Sequence, residues 1–200
     1  MEVEFPSGAW QLEGDVVVPP QPAGAAVVCH PHPQYGGNMD NNIVRTMTDV
    51  LGAAGWATLR FNFRGVGASS GAFGGGVEAE DARAAVAFLG ERMGLVTRVL
   101  AGYSFGAMVA LQAGVQIGTI DQLIAVAPPL AFIDLGFLRQ CSKRKLFIVG
   151  DDDQYCPIKR LQDEVSHLVE PKAARVIGGA DHFFFGFENA VADAVRGALA

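Results

Sequence analysis

The chain is poor in charge, in cysteine and in long apolar runs, and each shortage removes a class of function. Only 18% of its residues are charged and the formal balance is −6. A clustered basic surface of the kind that grips a phosphate backbone is therefore missing. The one basic run, Lys143-Arg144-Lys145, is short and precedes an apolar stretch, where it solvates the start of a strand. No apolar segment approaches the roughly 20 residues needed to span a bilayer. The opening residues, Met1-Glu2-Val3-Glu4, are acidic and lack the pattern of a signal peptide. Three cysteines, Cys29, Cys141 and Cys156, are an odd number without metal-ligand spacing, which suits a reduced compartment. The expectation is a cytoplasmic protein with neither a nucleic-acid nor a membrane partner. Oligomeric state leaves no mark on the sequence.

What the chain does have is apolar residues, at 50%, and 25 glycines. Many apolar residues with few charges suit strands buried on both faces, and do not suit disorder. Two hundred residues are enough for one α/β domain and too few for two with separate roles. From Val3 to Val18 two extended stretches, broken by Pro6-Ser7-Gly8, read as an antiparallel pair at a sheet edge. Ala25 to Cys29 is a short strand that empties into the Pro- and Gly-rich loop His30 to Asn41. Asn41 or Asn42 caps a helix running to Gly55. The strand Trp56 to Phe63 leads into Arg64-Gly65-Val66-Gly67-Ala68-Ser69-Ser70-Gly71. That turn fails as a dinucleotide fingerprint: Ser70 replaces the third glycine, and residues 71–76 cannot open a helix. An amphipathic helix follows from Glu78 to Arg92. Later come strands at Gln122 to Val126, Lys145 to Val149 and Ala174 to Ile177. The crossing Leu130 to Cys141 holds one or two helical turns, Pro157 opens a helix to about Leu168, and Glu188 to Leu199 closes the chain. Such alternation implies a mostly parallel sheet covered on both faces, with reactive groups at the strands' carboxyl ends.

One stretch carries the chemistry. Val99-Leu100-Ala101 reads as a buried strand, Gly102-Tyr103-Ser104-Phe105-Gly106 as a sharp turn, and Ala107 to Gln116 as a helix. A serine at such a turn is strained, and glycines two before and two after let strand and helix pack beside it. Its hydroxyl is left exposed, with the Phe105 amide and the helix's positive end facing any developing oxyanion. Ser104 is the candidate nucleophile. It needs a base and an acid that orients the base. Of four histidines, His167 falls inside a helix, and His30 and His32 are fixed between prolines. His182, after the last strand, is the candidate base. The loop after the preceding strand offers Asp151, Asp152 and Asp153 as the acid, and spacing does not choose among them.

Together, His30-Pro31-His32-Pro33 with Gly36-Gly37 and Met39-Asp40-Asn41, Phe63-Arg64-Gly65-Val66-Gly67 with Ser70-Gly71, the turn Gly102 to Gly106, Gly150-Asp151 with Asp153 and Pro157, and Asp181-His182-Phe183 resemble the α/β-hydrolase superfamily. Within it the chain is similar to small, lidless bacterial hydrolases related to dienelactone hydrolases, from about Val27 to the last helix. The resemblance implies an α/β-hydrolase fold, with an antiparallel amino-terminal edge and no large cap. It implies that Asp153 is the acid, and that the loop near His32 donates the second oxyanion amide beside that of Phe105. Dienelactone hydrolases proper use cysteine where this chain has Ser104, which weakens any carry-over of their substrate.

The expectation is a serine hydrolase that cleaves small carboxylic esters through an acyl-enzyme, with no cofactor. A metal is not expected, because His30 and His32 have no third ligand at a suitable spacing. Little chain separates the turn from the acid loop, so the site is open to a small acyl substrate. Tyr35, Met39, Phe132 and the run Phe183-Phe184-Phe185 are candidates to line it, with plain core as the rival reading for the phenylalanines. Alternatives are a non-catalytic ligand-binding protein on this fold, or a thioesterase or peptidase using the same three residues.

Overall fold

Side chains alternate across a strand, and here both sides are covered, which is why the inner strands are almost wholly apolar. The computed structural model describes residues 1–199. Its eight strands are β1 (Glu2–Ser7), β2 (Trp10–Val17), β3 (Ala25–Cys29), β4 (Ala57–Phe61), β5 (Thr97–Tyr103), β6 (Gln122–Val126), β7 (Arg144–Gly150) and β8 (Lys172–Ile177). They form one sheet in the order β1-β2-β4-β3-β5-β6-β7-β8. The β1/β2 and β2/β4 pairs are antiparallel and every other pair is parallel.

Five helices cover the sheet: α1 (Asn42–Ala53), α2 (Glu78–Met93), α3 (Phe105–Gln116), α4 (Ile158–Ser166) and α5 (Glu188–Arg196). In β3, Ala25, Val27 and Cys29 pack toward α2 and α3, whereas Ala26 and Val28 pack toward α1. β6 and β7 alternate in the same way. In β5, Leu100 joins the first layer, and Val99, Ala101 and Tyr103 join the second. α5 completes that second layer with Val191 and Val195.

Local signals set most boundaries. The Asn41 side chain accepts from the Ile43 amide at 3.0 Å and starts α1. Three expectations need correction. The strand expected from Trp56 to Phe63 is shorter, because Asn62 and Phe63 already turn into the next loop. β8 starts two residues before Ala174: an edge strand faces solvent, so Lys172 belongs in it despite its charge. α5 ends at Arg196, short of the expected Leu199. The crossing after β6 holds one 3-10 turn, Gly136–Leu138, within the one or two helical turns expected. Among the described residues, no helix is long and apolar enough to cross a membrane.

Candidate functional site

Ser104 is the residue between β5 and α3, with φ 55° and ψ −119°. For a non-glycine residue this conformation stores about 1–3 kcal/mol of strain, and close packing on either side holds it in place. A Cβ on Gly102 would stand 2.1 Å from the Gly106 carbonyl oxygen, and one on Gly106 would stand 2.4 Å from the carbonyl oxygens of both Cys29 and His30. Neither position tolerates any side chain. The start of α3 is thus pressed onto the end of β3, while the Ser104 amide donates to Val126 O at 2.9 Å. The hydroxyl projects from a half-buried position at the carboxyl end of the sheet.

Two later loops converge on it. After β8, the His182 ring is buried, with Nε2 2.9 Å from Ser104 Oγ. Its Nδ1 lies 2.9 Å from Asp153 Oδ2 and 3.0 Å from Oδ1. An ionised carboxylate only accepts, so Nδ1 carries the proton and the Nε2 lone pair faces the serine hydroxyl. Asp153 is 4% exposed, and its Oδ1 also accepts from the Tyr155 and Cys156 amides at 2.8 Å each. Its neighbours do other work. Asp151 is exposed and accepts from the Gly179 amide at 2.5 Å, and Asp152 is exposed. Asp181 accepts from the amides of Phe183 and Phe184, which shapes the loop around His182. His167 caps the end of α4 at the surface.

Tyr103, just before the serine, was not singled out from the sequence. Its hydroxyl donates to His182 O at 2.7 Å in a buried bond that joins β5 to the histidine loop. Burial pushes its phenol pKa up, with the charges of Asp153 and Asp181 adding to the effect, so it stays a donor.

Phe105 is the first residue of α3, where an amide has no partner within the helix. His32 packs its ring 4.9 Å from that of Phe105, and its Nδ1 accepts from the Gln34 amide at 3.2 Å. The loop is folded tightly on itself: a Cβ on Gly37 would lie 2.1 Å from Pro31 O. His30 is fully buried and bonds to neither Ser104 nor His182. Its Nε2 accepts from the Phe63 amide at 3.0 Å and its Nδ1 donates to Pro31 O at 2.6 Å. Burial pulls its pKa down to about 4, against smaller opposing effects from Pro31 O and Asp81. Beneath the loop after β4, fully buried Asp81 accepts from Ser7 Oγ at 2.6 Å and from Arg64 Nη2 at 2.7 Å. Buried Glu78 accepts from the amides of Gly74 at 2.7 Å, Gly75 at 3.3 Å and Gly76 at 2.8 Å. Asp81 thus ties β1 to the loop after β4, and Glu78 braces the segment beside Phe73, whose ring lies 4.8 Å from that of His32.

The expected lining residues divide. Tyr35 is 88% exposed and packs 4.8 Å from His32. Met39 is half-buried, and its amide is held by Asn62 Oδ1 at 2.7 Å. Phe132 and Phe183 are exposed. Phe184 does not line the site: it is fully buried in the α1/α5 layer with φ 54°. A single buried ring between two exposed ones follows from the turn that Asp181 imposes. Tyr155 and Phe73 were missed; an aromatic in a loop at the carboxyl end of a strand was the signal to follow. Cys156 is fully buried, and desolvation, aided by Asp153, raises its pKa and keeps it a thiol rather than a reactive thiolate. Among the described residues no group of three His, Cys, Asp or Glu is placed to hold a metal ion. Two surface hollows, of about 440 Å³ beside β2, β4 and α1 and about 190 Å³ beside β6 to β8, contain none of the residues around Ser104.

Comparison with known proteins gives a consistent result. The family described as Serine aminopeptidase, S33, matches residues 20–152. An α/β serine hydrolase homologue from Coxiella burnetii is 32% identical, with a TM-score of 0.93, covering 100% of this chain and 97% of its own. A lidless α/β serine hydrolase from Xanthomonas campestris is 29% identical, with a TM-score of 0.87, covering 100% of this chain and 93% of its own. An uncharacterised protein from Rickettsia prowazekii is 34% identical over 92% of this chain and 82% of its own length.

Proposed function

Since the chain belongs to the α/β-hydrolase superfamily, in the family described as Serine aminopeptidase, S33, and is a hydrolase, we propose that it cleaves small carboxylic esters through an acyl-enzyme on Ser104. The observation that carries this reading is the unbroken series from Ser104 Oγ through His182 to Asp153, each step 2.9 Å, on a backbone turn no relaxed serine would adopt. In the first half-reaction Oγ bonds to the acyl carbon and its proton passes to His182 Nε2. The carbon–oxygen bond to the alcohol then breaks, and the departing oxygen takes that proton. In the second half-reaction water gives a proton to His182 and its oxygen to the acyl carbon, and the acid leaves as Ser104 recovers its proton. Asp153 holds the imidazole in the required tautomer and stabilises its charged form. The amides of Phe105 and His32 receive the oxyanion; one such donor is commonly worth ~10²–10³ in turnover. The helix dipole of α3 adds to them.

The half-exposed serine and the absence of an inserted cap in the short 128–141 crossing favour small soluble esters. A fluorophosphonate probe tests the reading. Wild type should be labelled on Ser104, Ser104→Ala not at all, and His182→Ala far more slowly. A wild type inert to both the probe and a panel of p-nitrophenyl esters supports a binding protein instead. The family description makes amide cleavage the second reading, and aminoacyl nitroanilides should be turned over poorly if esters are the substrates.

A further inference from the structure

Three of the exposed rings of this protein, Phe132, Phe183 and Phe185, are gathered around His182, whereas Trp10, Tyr35 and Phe137 lie elsewhere on the surface. His182 meets Tyr155 at 4.8 Å and 71°, and Phe183 at 5.7 Å and 85°, both edge to face. Each is extended outward by another ring: Phe132 lies 6.2 Å from Tyr155, and Phe185 stacks on Phe183 at 6.2 Å and 16°. Phe132, Phe183 and Phe185 are 75%, 47% and 73% exposed. Single exposed apolar side chains are ordinary, but a contiguous patch of exposed rings marks a surface that meets something else.

Their position says which part of a substrate they meet. The imidazole is the group that passes its proton to the departing oxygen, so whatever hangs from that oxygen lies on the His182 side. The carbonyl oxygen turns the other way, toward the Phe105 amide. We infer that the rings form a leaving-group subsite, and that the preferred substrates are esters whose alcohol portion carries a planar aromatic ring, of the benzyl or phenyl class. The inference rests on Ser104 and His182 acting as the acyl-transfer pair. Tyr155 and Phe183 stand 4.8 and 5.7 Å from the imidazole that serves the departing oxygen, and a second ring set among them gains offset or edge-to-face contacts that a saturated ring of equal size does not.

The experiment compares benzyl acetate with cyclohexylmethyl acetate, which share an acyl group and differ little in bulk. The expected kcat/KM ratio is about 2- to 12-fold in favour of benzyl. Phe183→Leu and Tyr155→Leu should each move the ratio toward one, and the double variant should abolish it. Methyl phenylacetate and methyl cyclohexylacetate, with the ring on the acyl side, should differ by less than twofold. Equal turnover of the two acetates, or a preference confined to the acyl pair, overturns the inference and leaves the hydrolase reading standing. Absence of turnover together with absence of fluorophosphonate labelling overturns both.

Discussion

Tyr103→Phe removes one oxygen atom from the interior and leaves the ring where it was. That oxygen donates to His182 O at 2.7 Å, and Tyr103 is 3% exposed. The variant loses a net hydrogen bond of about 1 kcal/mol and leaves a carbonyl without that donor, which brings the expected cost to about 1–3 kcal/mol. For a chain of this length each 1 kcal/mol moves the Tm by roughly 2–4 °C, so a fall of about 6 °C is expected for a mid-range loss of 2 kcal/mol. The bond also tethers the backbone of the residue whose ring must face Ser104 Oγ. If about 1.4 kcal/mol of the loss reappears as work to restore that geometry in the transition state, kcat falls about tenfold. KM should change less than about twofold, because substrate does not meet this hydroxyl. Scanning calorimetry reads the first effect, and steady-state ester hydrolysis with the fluorophosphonate labelling rate reads the second. Ile120→Val is the control: it lies at the opposite end of the sheet, is 1% exposed, and should cost about 0.5–1.5 kcal/mol without touching kcat. A Tyr103→Phe protein with unaltered Tm would refute the bond's contribution. One with lowered Tm and unaltered kcat would show the tether to be structural only.

Gly106→Ala forces a methyl group to 2.4 Å from two backbone carbonyl oxygens and should cost about 3 kcal/mol or more, with loss of labelling at Ser104. Gly118→Ala, whose Cβ meets nothing within 4 Å, should be neutral or slightly stabilising in the same denaturation assay. His30 predicts an acid limb in stability. Unfolded, its imidazole takes up a proton near 6.5, but folded only near 4. The contribution is therefore complete above about pH 6.5 and is lost as pH falls toward 4, about 3 kcal/mol in all. Urea midpoints at pH 7.5, 5.5 and 4.5 measure the slope, and His30→Gln should flatten it. Glu78→Ala frees the three amides of Gly74 to Gly76 at a cost of about 1–3 kcal/mol. Limited proteolysis should then cut between residues 71 and 77, where wild type resists.

The order and type of every strand and helix were readable in the chain, because each short apolar run is closed by a Gly- or Pro-containing loop and the helices between keep their own spacing. The strand–turn–helix around Ser104 was equally plain. Backbone strain and close packing are local demands, and they restrict which residues can stand at 102 and 106. Edges were less legible: Lys172 reads as loop by charge, and only its pairing with Lys145 in the register of β7 and β8 makes it strand.

His182 could be read as the partner of Ser104, but most other polar partners could not, since they depend on which loops meet after the sheet has closed. Asp151, Asp152 and Asp153 are chemically alike and adjacent, so composition and spacing leave them equal. Folding buries one carboxylate 2.9 Å from His182 and turns the other two to the surface. Tyr103 gave no sign of its bond to a carbonyl 79 positions away, and Tyr155 none of its packing on the same imidazole. Local sequence thus determined the elements and the strained turn, whose causes lie within a few residues. The tertiary structure decided how Ser104, His182 and Asp153 meet and which rings surround the imidazole, because those contacts exist only once distant loops are brought to one end of the sheet.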